Sequence, residues 1–162
     1  MRLSGTELVG GRAAGELLCT DVGLSFWGGV DPLSGAVIDH THPLHGGPSV
    51  AGKMLAVPNG RGSCTGSQVV LELLLNGMAP RALLLRQPDA ILALGVIVAE
   101  ELFGTSIPIV SLGWVLLFPD ETHRKGRCAH QEAPCVVCHS LLRCIVPDAY
   151  LIKGRSRCLS YD

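Results

Sequence analysis

The sequence has few aromatic residues and almost no excess of charge of either sign. Only 4% of its 162 residues are aromatic, and the formal net charge is −1. These values argue against a base-stacking platform and imply no general attraction to nucleic acid or to an anionic membrane. The most apolar run, residues 90–99, is too short to span a bilayer, and the first residues lack the apolar segment of a signal peptide. We therefore expect a cytoplasmic protein with reduced cysteines.

Cysteine is scarce in the first two thirds of the chain and common in the last third. Residues 1–113 contain 18 glycines and two cysteines, whereas residues 114–162 contain two glycines and five cysteines. We recognise no helix or strand period after Gly113. The pair Cys135-Val-Val-Cys138 could be half of a zinc site, but a second pair at the usual spacing is missing. We predict a domain over residues 1–113 that folds alone, and a weakly ordered Cys-rich tail over residues 114–162 outside its architecture.

The segment best suited to chemistry is Pro-Asn-Gly-Arg-Gly-Ser-Cys-Thr-Gly-Ser, residues 58–67. An apolar run precedes it and a leucine-rich segment follows, which indicates a strand, a glycine-rich loop and a helix. Glycines let the backbone come close to a ligand, and a helix N-terminus offers N–H groups to an anion. Arg61 adds donors suited to a carboxylate or a phosphate. No Gly-Lys-Ser/Thr closes the segment, so it is not a P-loop, and an ordinary glycine-rich turn with a serine N-cap stays an alternative.

The remaining periodicity predicts a mixed α/β domain. Helices are predicted over residues 67–76, with Gly77 as the stop, and over residues 88–103, with Pro88 as the first helical residue and Gly104 as the stop. Strands are predicted over residues 3–9, 16–19, 36–38, 53–57, 82–85 and 107–112. The second half is then a βαβαβ unit whose right-handed crossovers put both helices on one face of a parallel sheet. The early strands would cover the other face and give three layers, β, β and α.

Two loops before the glycine-rich segment hold further candidate residues. Residues 24–35 form an irregular loop with Phe26 and Trp27, which either pack on the domain's own core or face a ligand or a partner. Residues 39–45 contain one aspartate and three histidines, His40, His42 and His45. A His-x-His pair can ligate a metal ion, but a single structural or substrate-binding histidine is the favoured interpretation.

Several motifs in this order resemble the small subunit, or swivelling domain, of the aconitase X family. They are Leu-Ser-Phe-Trp-Gly-Gly-Val-Asp-Pro-Leu-Ser-Gly at 24–35, His42-Pro-Leu, Ala51-Gly-Lys, residues 58–67, Ala79-Pro80 and Leu-Gly-Val-Ile-Val-Ala at 94–99. The resemblance covers roughly residues 1–112, so that residues 114–162 are expected to be non-homologous. It implies the swivelling β/β/α fold and a hydro-lyase whose iron–sulfur cluster lies on a large partner subunit or domain.

The resemblance also implies roles for the residues of the glycine-rich segment. Ser63 matches the family's proton-accepting serine, and the residues around it are predicted to bind substrate, namely Arg61, Gly62, Cys64, Thr65 and Gly66. No metal ligand is predicted on this chain, because neither Cys19 nor Cys64 belongs to a cluster motif. A serine is a poor base, so its alkoxide would need the loop N–H groups and Arg61 for stabilisation.

The implied substrate is a small hydroxy acid, with cis-3-hydroxy-L-proline as the first choice and phosphomevalonate as the alternative. Dehydration also needs a Lewis acid for the leaving hydroxyl, which the large partner would supply. Two alternatives of another class stay open, a non-catalytic module that holds an anion with the same loop and an inactive fragment.

Overall fold

Four parallel strands and two helices form the centre of the structure, a computed structural model that describes residues 2–3, 5–113, 141–145 and 150–153. The strands are β3 (Arg12–Cys19), β4 (Met54–Val57), β5 (Ala82–Leu85) and β6 (Ile109–Ser111), which pair in this order. The chain passes from β4 to β5 through α1 (Gly66–Leu75) and from β5 to β6 through α2 (Ala90–Phe103). The βαβαβ half and the α/β class are therefore confirmed.

The outer strands come from both ends of the described chain. β2 (Thr6–Val9) pairs antiparallel with β6 and completes a five-strand, mostly parallel sheet. The first half of β3 pairs instead with β7 (Leu141–Ile145), and β8 (Tyr150–Lys153) joins β7 to β1 (Arg2–Leu3), all antiparallel. The predicted strand over residues 3–9 is thus divided between β1 and β2.

The two strands β7 and β8 contradict the expectation that nothing after residue 113 joins the architecture. Each has four or five residues, which is too short to establish a period in the sequence. Residues 12–16 of β3 would otherwise leave backbone N–H and C=O groups unpaired, and pairing with β7 satisfies them. The Cys135–Cys138 pair and the rest of the tail lie outside the described residues, and the domain boundary at residue 113 stays a prediction.

Each helix ends at a glycine, as predicted, but begins differently from the prediction. Gly77 and Gly104 have φ of 68° and 67°, the left-handed conformation that favours glycine. Asp89, and not Pro88, begins α2: its Oδ1 accepts hydrogen bonds from the N–H groups of Ile91 (3.0 Å) and Leu92 (3.1 Å). Neither described helix has the length and apolar character that crossing a membrane requires. The cytoplasmic location stays a prediction.

Both faces of the parallel strands are buried. On one face, alternate residues of β4 and β5, such as Leu55 and Leu83, share an apolar cluster with both helices and with the loop between β3 and β4. On the other face, Met54 and Leu84 belong to a second cluster, against which Leu17 and other residues of β3 pack. The helices therefore lie on one side of the sheet. The early strands β2 and β3 pair edge to edge with β6 and β4 in that same sheet, so these two strands do not form the separate covering layer that was expected.

The loop between β3 and β4, residues 20–53, is irregular and folds onto the helical side of the sheet. Phe26 is 2% exposed in the first cluster, whereas the neighbouring Trp27 is 58% exposed, so the two aromatic residues have different surroundings. The predicted strand over residues 36–38 is wrong. Only an isolated bridge joins Val30 to Val37, because the surrounding backbone is used in turns.

Candidate functional site

The glycine-rich segment lies at the carboxyl end of β4, where crevices of parallel sheets bind ligands. Several contacts from elsewhere in the chain hold it, among them two made by its own N–H groups. The N–H of Arg61 donates to the carbonyl oxygen of Leu24 (2.9 Å), and the N–H of Gly60 donates to Oδ2 of Asp89 (3.0 Å). A Cβ at position 60 would lie 2.7 Å from the same Oδ2, so a larger residue here would displace the Asp89 carboxylate that holds the segment.

Ser63 lies in the turn that begins after Gly62, which has φ of 107° and therefore requires glycine. The Ser63 Oγ accepts a hydrogen bond from the N–H of Thr65 (3.1 Å) and lies 2.9 Å from the hydroxyl of Thr65, with which it also shares a hydrogen bond. Ser63 itself is exposed. Two donors can thus stabilise negative charge on an oxygen that remains accessible.

The start of α1 differs from the predicted serine cap. Thr65 is the N-cap residue and makes no side-chain cap, and Ser67 lies inside the helix with its hydroxyl donating to the carbonyl oxygen of Cys64 (2.8 Å). The N–H groups of Gly66 and Ser67 donate to the carbonyl oxygens of Ser63 and Cys64. The first N–H groups of the helix are therefore already used.

Unpaired backbone donors occur one turn earlier instead. Within the part of the chain that the structure describes, the N–H groups of Gly62, Ser63 and Cys64 donate to no other residue. Consecutive loop N–H groups of this kind are the usual ligands of anions in backbone nests. The donors that sequence reasoning assigned to the helix terminus are thus offered by the loop.

Arg61 forms an ion pair that sequence reasoning missed. Its Nη2 donates to Oδ2 of Asp39 at 2.7 Å, with the Arg61 side chain 53% exposed and that of Asp39 16% exposed. Oδ1 of Asp39 accepts from the hydroxyl (2.7 Å) and the N–H (2.9 Å) of Thr41. These bonds, and then the charge of Arg61, hold the pKa of the Asp39 carboxyl below its usual value.

A small cavity of about 20 Å³ brings several of the predicted residues together. Four of the six predicted site residues line it, and Cys64 and Thr65 do not. The lining is Phe26, Gly60, Arg61, Gly62, Ser63, Gly66, Asp89, Ile91 and Leu92. Asp89 and Ile91 were not expected to line the same cavity as Ser63, whereas Phe26 was expected either in the core or at a ligand or partner surface. Of the residues that the sequence did not place in this cavity, only Asp89 has a recognisable local pattern. It directly precedes an apolar helical run, where the N-cap residue of a helix is expected.

The histidines of residues 39–45 are engaged with the protein. His42 is 3% exposed; its Nδ1 accepts from the N–H of Leu44 (3.2 Å), and its Nε2 lies 3.4 Å from the carbonyl oxygen of Val22. Burial lowers the pKa of His42, against the opposing effects of Val22 and Asp39. His40 Nδ1 and His45 Nε2 lie 2.9 Å apart. The structural interpretation fits His42.

The described residues do not fit an iron–sulfur cluster. Among residues 5–113, no group of three or more His, Cys, Asp or Glu side chains is arranged to hold a metal ion. Cys19 lies on β3 and the exposed Cys64 lies in the glycine-rich loop, on different elements. A larger cavity of about 390 Å³, lined by Arg12, Arg81 and neighbours, contains none of the predicted site residues.

Most of the chain matches a known protein family. Residues 2–115 match the family model of the aconitase X swivel domain. The chain belongs to this family. The match covers nearly the same residues as the resemblance seen in the sequence and includes the whole glycine-rich segment.

The relatives of this family member include a much longer dehydratase and proteins named as small subunits. A cis-3-hydroxy-L-proline dehydratase of Pseudomonas aeruginosa is 66% identical over 132 residues, which cover 78% of this chain and 23% of the relative. A phosphomevalonate dehydratase small subunit of Thermococcus onnurineus is 46% identical over 99 residues, 61% of this chain and 75% of the relative. The chain thus spans about a quarter of the length of the first of these relatives.

A solved structure supports the fold assignment. The crystal structure of Thermococcus kodakaraensis aconitase X in its holo-form superimposes with a TM-score of 0.72 and 29% identity, over 96% of this chain and 99% of that chain. The swivelling-domain fold that the sequence predicts is therefore confirmed.

Proposed function

We propose that this chain is the swivelling small subunit or domain of an aconitase X-type hydro-lyase, with Ser63 as the proton acceptor. The observation that carries the proposal is the position of Ser63. Its hydroxyl is exposed at the carboxyl end of β4 and has two donors of Thr65 within hydrogen-bond distance. The family membership and the dehydratase names of the relatives support the reaction class.

The role of Ser63 is to take a proton from the carbon next to the substrate carboxylate. The electron pair of the broken C–H bond forms a C=C bond while the hydroxyl group leaves from the neighbouring carbon. Ser63 accepts a proton only as its alkoxide, which forms when the exposed hydroxyl loses its own proton to solvent. The N–H and the hydroxyl of Thr65 stabilise that alkoxide by donating to it. The N–H of Thr65 already donates to the Ser63 Oγ before substrate binds, so this donor needs no reorganisation during the reaction.

The substrate carboxylate is held by Arg61 and by the loop. Arg61 uses one guanidinium nitrogen on Asp39 and keeps its remaining donors for the ligand, since its side chain is half exposed. The N–H groups of Gly62 to Cys64 add neutral donors, and Thr65 and Gly66 complete the predicted substrate-binding set.

The large partner provides the iron–sulfur cluster that assists departure of the hydroxyl group. The described residues of this chain hold no suitable ligand cluster, and the P. aeruginosa relative has about three quarters of its length outside the matched region. We propose that this remaining part corresponds to the partner.

The substrate that the relatives favour is cis-3-hydroxy-L-proline. The relative named for this activity is 66% identical, against 46% for the phosphomevalonate dehydratase small subunit. Phosphomevalonate is the second candidate. A module that binds an anion without catalysis is the alternative of another class, and it predicts tight carboxylate or phosphate binding by the chain alone.

The test is Ser63→Ala in the chain assembled with a large aconitase X subunit, assayed with both substrates. A lost proton acceptor should lower kcat roughly 10²- to 10⁴-fold, with little change in melting temperature or assembly. Ser67→Ala is the matched control, because it removes the same hydroxyl and one local hydrogen bond but lies outside the cavity. It should cost about 0.5–1.5 kcal/mol of stability and leave kcat close to wild type.

Each result assigns a role. If Ser63→Ala had a near-normal kcat and a lowered melting temperature, Ser63 would only stabilise the local turn, and the proposal would be refuted. Turnover of phosphomevalonate and not of cis-3-hydroxy-L-proline would change the proposed substrate but not the proposed reaction class. An assembled wild-type protein without turnover of either would favour the anion-binding alternative.

A further inference from the structure

We infer that Asp39 is a positioning residue, which fixes the Arg61 guanidinium at the cavity of Ser63. The inference rests on the proposed function, because it gives Arg61 a substrate to hold. It adds a residue that lies 22 positions before Arg61 and outside the glycine-rich segment.

The geometry makes Asp39 a fixed anchor. Oδ1 is occupied by the hydroxyl and N–H of Thr41, so Oδ2 is directed to Arg61 Nη2 at 2.7 Å. The backbone around it is held as well, since the N–H of Ile38 donates to the carbonyl oxygen of Gly29 (2.9 Å) and that of His42 donates to the carbonyl oxygen of Asp39 (3.0 Å). The carboxylate therefore has little freedom to follow a moving guanidinium.

The same contacts restrict the conformation of the Arg61 side chain. Its own backbone N–H is bound to Leu24, and its guanidinium is bound to Asp39, so both ends of the side chain are held. Arg61 lines the cavity together with Ser63. A planar guanidinium held through one nitrogen presents its other N–H groups in a fixed direction, which suits a bidentate contact with a carboxylate.

Asp31 offers a matched control. Its carboxylate accepts from the N–H of Leu33 (3.2 Å) and the hydroxyl of Ser34, a local turn of the same kind as that of Asp39 with Thr41. Both carboxyls have a lowered pKa from these bonds. Among the described residues, Asp31 makes no hydrogen bond or ion pair with a residue that lines the cavity. Asp31→Asn therefore removes the turn charge without touching Arg61.

The experiment compares Asp39→Asn with Asp31→Asn in the assembled enzyme. In Asp39→Asn the new amide keeps an oxygen for Thr41 but offers no charge to Arg61. If Arg61 holds the substrate equally in the ground and transition states, Asp39→Asn should raise KM about tenfold with kcat nearly unchanged, while Asp31→Asn changes neither. In an Arg61→Ala background, Asp39→Asn should add no further increase, because its effect passes through Arg61.

A second measurement needs no turnover. Hydrogen exchange of the hydrogen-bonded amides in this loop should be faster in Asp39→Asn than in wild type and unchanged in Asp31→Asn. These amides are those of Gly60, Arg61, Thr65 and Gly66. Equal KM values for the two variants, an additive effect with Arg61→Ala, or equal exchange rates would each overturn the inference. Absence of turnover in the wild-type assembly would instead refute the proposed function, and with it the substrate role given to Arg61.

Discussion

Helices α1 and α2 approach each other at Gly95, and this contact gives the sharpest stability prediction. A Cβ at position 95 would lie 3.1 Å from both the Cα and the carbonyl carbon of Ser67, and closer still to the carbonyl oxygen of Ser67. Ordinary contacts of a Cβ fall between 3.4 and 4 Å. The neighbouring atoms are backbone of α1, which cannot rotate away as a side chain could. Gly95→Ala must therefore push the two helices apart.

The expected magnitude follows from two opposing effects. Alanine is favoured over glycine inside a helix by about 1 kcal/mol, whereas overpacking typically costs about 1–3 kcal/mol. We expect the steric effect to win because the clash is with backbone, with a net loss of about 1–2 kcal/mol. For a chain of this size that lowers the melting temperature by about 2–8 °C. Thermal and urea unfolding of the purified chain measure it.

Gly66→Ala is the matched control, because it is the same substitution in the neighbouring helix with space available. The nearest atoms to its Cβ would be Phe26 Cβ at 3.8 Å and Ile91 Cγ2 at 4.0 Å, which are ordinary contacts. Its stability should equal or exceed that of wild type. If Gly95→Ala were as stable as Gly66→Ala, the close approach of the helices would not constrain the fold and the reasoning would be refuted.

Two further predictions concern pH and metal content. Because folding lowers the pKa of His42, the unfolded chain binds a proton at this residue first, and the free energy of unfolding should fall as pH drops below about 6.5. Urea unfolding at pH of about 7.5 and about 5.5 should show this loss in wild type and in the exposed control His40→Gln. The loss should be absent in His42→Gln. The chain without its partner should bind no stoichiometric iron and should turn over neither substrate, which iron analysis and an activity assay measure. Activity of the isolated chain would contradict the proposal that this chain and the large partner each supply part of the active site.

The parallel half of the fold could be predicted because its signals are local. Each strand is a short apolar run, and each helix ends at a glycine that adopts the left-handed conformation the sequence suggests. The limits of α2 were less accurate, since Pro88 and Asp89 both favour a helix start and only the hydrogen bonds of Asp89 decide between them. The prediction of a strand at residues 36–38 was wrong because apolar residues there, such as Val37, are buried in the core although the backbone around them is used in turns.

The candidate site was predictable in part for the same reason. The glycine-rich loop has a local signature, and it led to Arg61, Gly62, Ser63 and Gly66 around one cavity. The contact between Asp39 and Arg61 joins residues far apart in the chain, and no pattern in the sequence pairs that carboxylate with that guanidinium. Likewise, β7 pairs with β3 across more than a hundred residues. Contacts of this kind depend on the assembled fold.

The long-range contacts also explain how one loop can be both fixed and accessible. Leu24, Asp39 and Asp89 hold the loop from three separate positions in the chain. Among the described residues, the N–H groups of Gly62, Ser63 and Cys64 make no such contact. A fixed loop keeps its donors aligned for charge at no cost in reorganisation. An exposed loop, however, leaves those donors screened by water, which weakens each of them. The arrangement is therefore fully effective only when another surface closes over Ser63, which is the part that we assign to the large partner.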